Sequence, residues 1–151
     1  MSPEEQVKKK LDDITQKMHS IDIIQQIGDF AADLIKKRTQ LGYGSLKQSG
    51  TKTKLKALSI GYKKQRKAMP LSSKTTANKS NLTQTGHMLN NLIATIKDNG
   101  QVEIGFQDPF AHDKATWNTV KGRPFNNLTE AEIKQLKLFI QKLIKNELKS
   151  S

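Results

Sequence analysis

Apolar positions recur along this chain with helical spacing near both ends and with strand spacing in between. Val7, Leu11, Ile14 and Met18 share one helix face, and the remaining positions of that segment are mostly charged. Ser2 can cap the free backbone N–H groups, Pro3 fits the first helical position, and Glu4 and Glu5 suit the positive end of the helix dipole. So narrow a stripe predicts a helix that is marginal alone or packs against a partner. Ser20 can cap a second helix with Ile21, Ile24, Ile27, Ala31, Leu34 and Ile35 as its stripe and Phe30 alongside. Lys36, Lys37 and Arg38 crowd its last turn, and Gly42 and Gly44 end it.

Strand spacing comes later. Leu92, Ala94 and Ile96 alternate, as do Val102, Ile104 and Phe106 beyond Asp98-Asn99-Gly100. Asn99-Gly100 predicts a tight β-hairpin turn, because both residues tolerate positive φ. Before it, Thr85 can cap a short helix carrying Met88, Leu89 and Leu92. The stretch after Phe106 reads as irregular. Thr129-Glu130-Ala131-Glu132 then forms a capping box. Ile133, Leu136, Phe139, Ile140, Leu143, Ile144 and Leu148 mark a long C-terminal amphipathic helix. The predicted fold is α+β: a small antiparallel sheet with a β-hairpin, flanked by N-terminal and C-terminal amphipathic helices, with a long basic loop in the middle. Residues 1–19 read as a helix able to serve as an interaction arm, and 20–151 as a single domain with a flexible basic loop over about 45–82.

Charge sharpens that middle section. The net charge is +12, with 26 Lys and Arg against 14 Asp and Glu, and no acidic residue occurs from Leu34 to Lys97. Such a surplus attracts polyanions without choosing among nucleic acid, acidic membrane and acidic protein. Lys52, Lys54 and Lys56 alternate, so an extended chain presents them on one side; Lys63, Lys64, Arg66 and Lys67 follow Tyr62. The segment is either a phosphate-binding surface or a solvated lysine-rich one. Only 34% of residues are hydrophobic, against roughly 45–50% in an average soluble domain, so part of the chain is expected to lie outside any packed core.

Little of the composition points to catalysis. There is no Cys, hence no disulfide or thiolate metal site. His19, His87 and His112 stand far apart and form no metal-ligand pair, and no nucleophile elbow, P-loop or dinucleotide fingerprint occurs. His112-Asp113 and the Asp108/Asp113 pair lack a partner motif. The expectation is a protein that is not an enzyme and takes no cofactor or metal. The N-terminus has charges where a signal peptide needs an apolar run, and no membrane span is legible, so a soluble intracellular product is expected. Trp117, the only tryptophan, suits either a cap over the core or an anchor in a protein interface. Pro124 restricts the residues before it to extended forms, and Phe125 can pack under the start of the last helix.

Three segments, in order, resemble the tail-completion and neck proteins of tailed bacteriophages, the group that includes the HK97-type and virion-morphogenesis proteins. "LKALSIGYKKQRKAMPLSS" is similar to that family's "LKPLS..Y...R" loop. "SNLTQTGHMLNNL", with Leu82, Thr85, Gly86 and Leu89, resembles the "L..TG.L" signature that leads into a hairpin. "GRPFNNLTEAEIKQL", with Arg123, Pro124 and Phe125, is like the "RPF.(G/N)LS..E...I" that opens the last helix. Relatives often carry "YA..H..G" between the last two; here Phe110-Ala111 and His112 remain and the rest is compressed.

The resemblance implies a virion structural protein of the head–tail junction. It would form a homo-oligomeric ring, a hexamer or dodecamer, between capsid connector and tail proteins. The basic loop would then order against a neighbour or lie near genomic DNA. It implies a place in the virion neck, reached from the host cytoplasm during assembly, with no membrane involved. The alternative is a basic nucleic-acid-binding protein of another family, using the Lys/Arg-rich central segment.

Overall fold

A computed structural model describes residues 1–46, 51–73, 75–77, 79–82, 86–120, 125 and 127–150. Its architecture is α+β, with helices α1 (Pro3–Met18), α2 (Ile21–Gln40), α3 (Ile60–Lys67), α4 (His87–Asn90), α5 (Pro109–Val120) and α6 (Glu130–Ser150). The strands are β1 (Tyr43–Leu46), β2 (Thr51–Lys54), β3 (Leu92–Ile96) and β4 (Val102–Phe106), paired as two separate antiparallel ribbons, β1–β2 and β3–β4. Sequence patterning predicts one small sheet; the described residues form two.

Helix α2 is the spine, lying against β3 and β4 on one side and against α6 on the other. Its buried face is Gly28, Ala31, Ala32, Ile35, Arg38 and Thr39, while Ile21 is 72% exposed. The expected stripe thus holds over its second half and fails at its start. Small residues replace large ones on this face for a geometric reason. A Cβ added at Gly28 would lie 2.7 Å from the Ala94 Cβ and 2.7 Å from the Val102 Cγ1, so the helix backbone rests directly on the hairpin. Phe30 stacks on Phe139 of α6 with centroids 4.3 Å apart and planes 3° from parallel. The core gathers Ile35, Met88, Leu89, Leu92, Ala115 and Phe125, with Leu82, Ile104, Phe106 and Leu128 packed around them.

The N-terminal helix starts as its sequence dictates. Ser2 Oγ accepts from the Glu5 backbone N–H at 3.2 Å and the Ser2 N–H donates to Glu5 Oε2 at 2.7 Å, a complete capping box. Only Ile14 of the stripe is buried, and Lys17 pairs with Glu147 of α6 at 3.1 Å.

Three elements depart from the sequence expectation. The segment assigned to a loop over about 45–82 contains both β2, paired Tyr43↔Lys54 through Leu46↔Thr51, and α3, capped by Ser59 Oγ accepting from the Tyr62 N–H at 3.2 Å. Leu55 and Leu58 are buried between them. The stretch after Phe106, read as irregular, forms the three-turn helix α5; its buried residues are Ala111 and Ala115, too small to print a strong apolar stripe. Leu92, which the patterning gives both to the short helix and to the strand that follows, opens β3.

The β3–β4 hairpin is present in the register Leu92↔Phe106 to Ile96↔Val102, but its turn differs in kind. Gly100 alone takes positive φ, at 78°, while Asn99 does not. The Gly100 N–H donates to the Lys97 carbonyl at 2.9 Å and the Lys97 N–H to the Gln101 carbonyl at 2.8 Å. That is a three-residue loop closed by a left-handed glycine, the commonest alternative to the two-residue turn.

Candidate functional site

The basic segment divides into an outer and an inner set. Lys52 and Lys54 project from β2, exposed, and Lys56 is exposed just beyond it. The Lys52 ammonium stands 4.2 Å over the Tyr43 ring of the neighbouring strand, a cation–π contact across the ribbon. On α3, Lys64 and Lys67 are exposed and lie on one face with Ile60, while Lys63 is half-buried. None of Lys54, Lys63, Lys64 and Lys67 forms an ion pair among the described residues.

Arg66 belongs to the inner set and so is not a surface contact, contrary to the sequence reading. It is 3% exposed, with its Nη1 donating to the Lys79 carbonyl at 3.0 Å and its Nη2 to Thr75 Oγ1 at 3.3 Å. Thr75 Oγ1 donates to Asn81 Oδ1 at 2.8 Å, and Asn81 Nδ2 to the Gln40 carbonyl at 2.8 Å. A relay of hydrogen bonds therefore ties α3 to the C-terminal end of α2. Ser80 Oγ adds a second tie, donating to the Lys56 carbonyl at 2.6 Å. Arginine suits the anchor because its fork satisfies two acceptors from one buried position.

The residues that carry the family resemblance have structural surroundings. Leu89 and Phe125 are fully buried in the core, and Leu82, at a positive φ of 56°, packs against it. Gly86 caps α4 in the left-handed region at φ 83°, where a side chain would be strained. Thr85, Arg123 and Pro124 lie outside the described residues. Phe125 is buried in the core with its ring centroid 6.2 Å from that of Phe106, and its carbonyl accepts from Arg38 Nη2. Arg38 Nη1 also donates to Glu132 and, at 2.8 Å, to the Asn127 carbonyl. Burial pulls the Arg38 guanidinium below its ordinary range, and the Glu132 carboxylate opposes that.

Besides single exposed side chains such as Ile21, Leu41, Ile60 and Leu138, exposed apolar residues pair up on α1 and on α5. On α1, Val7 (59% exposed) and Leu11 (56% exposed) share an exposed helix face with Pro3, on the stripe whose next member, Ile14, is buried. On α5, Trp117 is 66% exposed and Phe110 carries the Lys114 ammonium 4.7 Å above its ring. Of the two roles expected for Trp117, the cap over the core is thereby corrected: the helix turns its alanines inward and its indole outward.

One pairing was not foreseen. His87 Nε2–H donates to Asp108 Oδ2 at 2.8 Å, while Asp108 Oδ1 accepts from the Phe110 N–H at 3.0 Å and so caps α5. Asp108-Pro109 is the signal that could have found it, an N-cap aspartate before a proline at the first helical position. The Phe110 N–H and then the His87 ring hold the Asp108 carboxyl below the usual aspartate range. His112 and Asp113 are both exposed, 3.9 Å apart. Among the described residues, no group of three or more His, Asp or Glu is placed to hold a metal ion, and no helix is long and apolar enough to cross a membrane.

Comparison with protein families, with curated proteins and with solved structures returned no match for this chain.

Proposed function

We propose that this chain is a structural subunit of the head–tail junction of a tailed bacteriophage, acting by assembly into a ring between the capsid connector and the tail. The role carries no chemical step. Its place is the virion neck, reached from the host cytoplasm, and its partners are copies of itself and the neck and tail proteins above and below. The observation that carries this reading is the unfinished face of α1. Ile14 buries its side chain in the body, while Val7 and Leu11 on the same stripe face solvent. Burying two such side chains on a neighbour is worth about 1.5–3 kcal/mol each. The three family-like segments add support, because Leu82, Leu89 and Phe125, drawn from two of them, meet in one core.

Sedimentation of the purified chain over a range of concentrations tests the proposal, alone and with tailed-phage particles lacking their neck. The wild type is expected to pass from monomer to hexamer or dodecamer, or to co-sediment with the particles. Val7→Asp with Leu11→Asp is expected to abolish both while leaving the helical content unchanged. A chain that stays monomeric and ignores the particles overturns it.

A further inference from the structure

We propose that the outer faces of β2 and α3 form a binding surface for the phosphodiester backbone of duplex nucleic acid. The inference does not rest on ring assembly and holds or fails without it. Its first ground is segregation of charge. Residues 34–97 hold 14 of the 26 Lys and Arg and none of the 14 Asp and Glu. Removing a phosphate's counterions requires cations that the protein has not already neutralised; Arg38 and Lys97 pair with Glu132 and Glu103 from outside the segment, whereas Lys52, Lys54, Lys64 and Lys67 form no ion pair among the described residues.

The second ground is geometry. A strand rises about 3.3 Å per residue, so Lys52 and Lys54, on one face of β2, stand about 6.6 Å apart along it. That is about two steps of a nucleic-acid strand, whose rise is about 3.4 Å. Lys64 and Lys67 lie one helical turn apart on the exposed face of α3. These four ammonium groups sit on two short elements fixed from within. Leu55 and Leu58, in the connection from β2 to α3, are buried, and the Arg66–Thr75–Asn81 relay holds α3 in place. The row is therefore presented by fixed backbone.

The aromatic residues favour a duplex over a single strand. Single strands are held by successive rings open for base stacking. Here Tyr43 is covered by the Lys52 ammonium, and the Tyr62 ring lies 5.8 Å from the buried Arg66 guanidinium carbon. With the rings engaged, what remains outward beside the Ile60 side chain is charge, which reads backbone and not sequence.

Fluorescence anisotropy of labelled DNA and RNA duplexes tests the surface, with a single strand of the same length and polyglutamate as competitors. Four phosphate contacts predict a log–log salt slope of about −3.6, so raising salt from about 50 to about 200 mM weakens binding about 150-fold. Lys64→Gln with Lys67→Gln is expected to lower that slope by about 2, and Lys52→Gln with Lys54→Gln likewise. Lys134→Gln with Lys142→Gln, an equal loss of charge on exposed positions of α6, is expected to change it by less than half as much. Equal losses in the α6 control would mean net charge alone attracts the duplex and would overturn the site. So would a flat salt response, tighter binding of the single strand, or competition by polyglutamate at matched charge. A preference between DNA and RNA duplexes would name the source of the backbone and leaves the surface standing.

Discussion

Arg38 and Glu132 stand 94 residues apart in the chain and form a buried ion pair that joins the end of α2 to the start of α6. Glu132 serves twice, since its Oε1 also accepts from the Thr129 N–H at 2.9 Å in the capping box. Removing one partner strands the other charge in a dry site, which costs about 3–5 kcal/mol. Glu132→Ala is therefore expected to lower the urea midpoint far more than Glu130→Ala, its exposed neighbour in the same turn. A double-mutant cycle with Arg38→Met checks the coupling: the double variant should be less damaged than the sum of the two single ones.

Gly28 and Gly100 predict opposite kinds of failure. At Gly28 the helix geometry is ordinary and space is absent, so Gly28→Ala must push α2 off Ala94 and Val102. The expected cost is about 1–3 kcal/mol, which exceeds the roughly 1 kcal/mol that alanine gains in a helix. At Gly100 space is open but φ is 78°. Gly100→Ala is expected to cost about 1–2 kcal/mol, and Gly100→Asn distinctly less, because asparagine tolerates the left-handed region. Thermal unfolding of the three variants separates the two causes.

Much of the fold is legible in the residues that act locally. Ser2, Ser20 and Thr129 each cap the helix their sequence announces, and the alternation around Asn99-Gly100 marks its hairpin. What stays illegible depends on partners far along the chain. Nothing near Arg66 reveals that it turns inward toward Thr75 and Lys79, so it reads as one more surface cation. Helix α5 hides because it buries alanines and exposes its tryptophan, reversing the usual contrast. The candidate surface was thus readable as a stretch of lysines, and the division into outer lysines and an inner arginine was not.

That division makes its own prediction. Arg66→Ala and Lys64→Ala remove one positive charge each from the same helix. Arg66 makes two hydrogen bonds from a buried position, so its loss is expected to cost about 1.5–3 kcal/mol, while the exposed Lys64 costs within about 0.5 kcal/mol. Amide hydrogen exchange locates the damage: in Arg66→Ala, α3 and residues 75–82 should lose protection ahead of α2. Equal stability of the two variants would show that the relay does not hold α3.

Asp108 links the fold to pH, and the direction follows from its surroundings. The Phe110 N–H, then the His87 ring, favour the carboxylate and hold this carboxyl below its ordinary range. A group with a depressed folded pKa binds fewer protons folded than unfolded. Its contribution is fully present above the unfolded value, near 3.9, and is lost as pH falls through the folded one. Asp108→Asn keeps an oxygen to cap Phe110 and removes the charge. The variant is therefore expected to be less stable than the wild type at about pH 6, with the gap closing below about pH 4 as the wild-type carboxyl takes up its proton. Urea midpoints measured from about pH 6 down to about pH 2.5 read this directly. His87→Ala should reproduce only part of the gap, because the Phe110 N–H, the larger cause, remains. A gap that stays constant across the whole range would mean that the charge on Asp108 contributes nothing to holding α5 against α4.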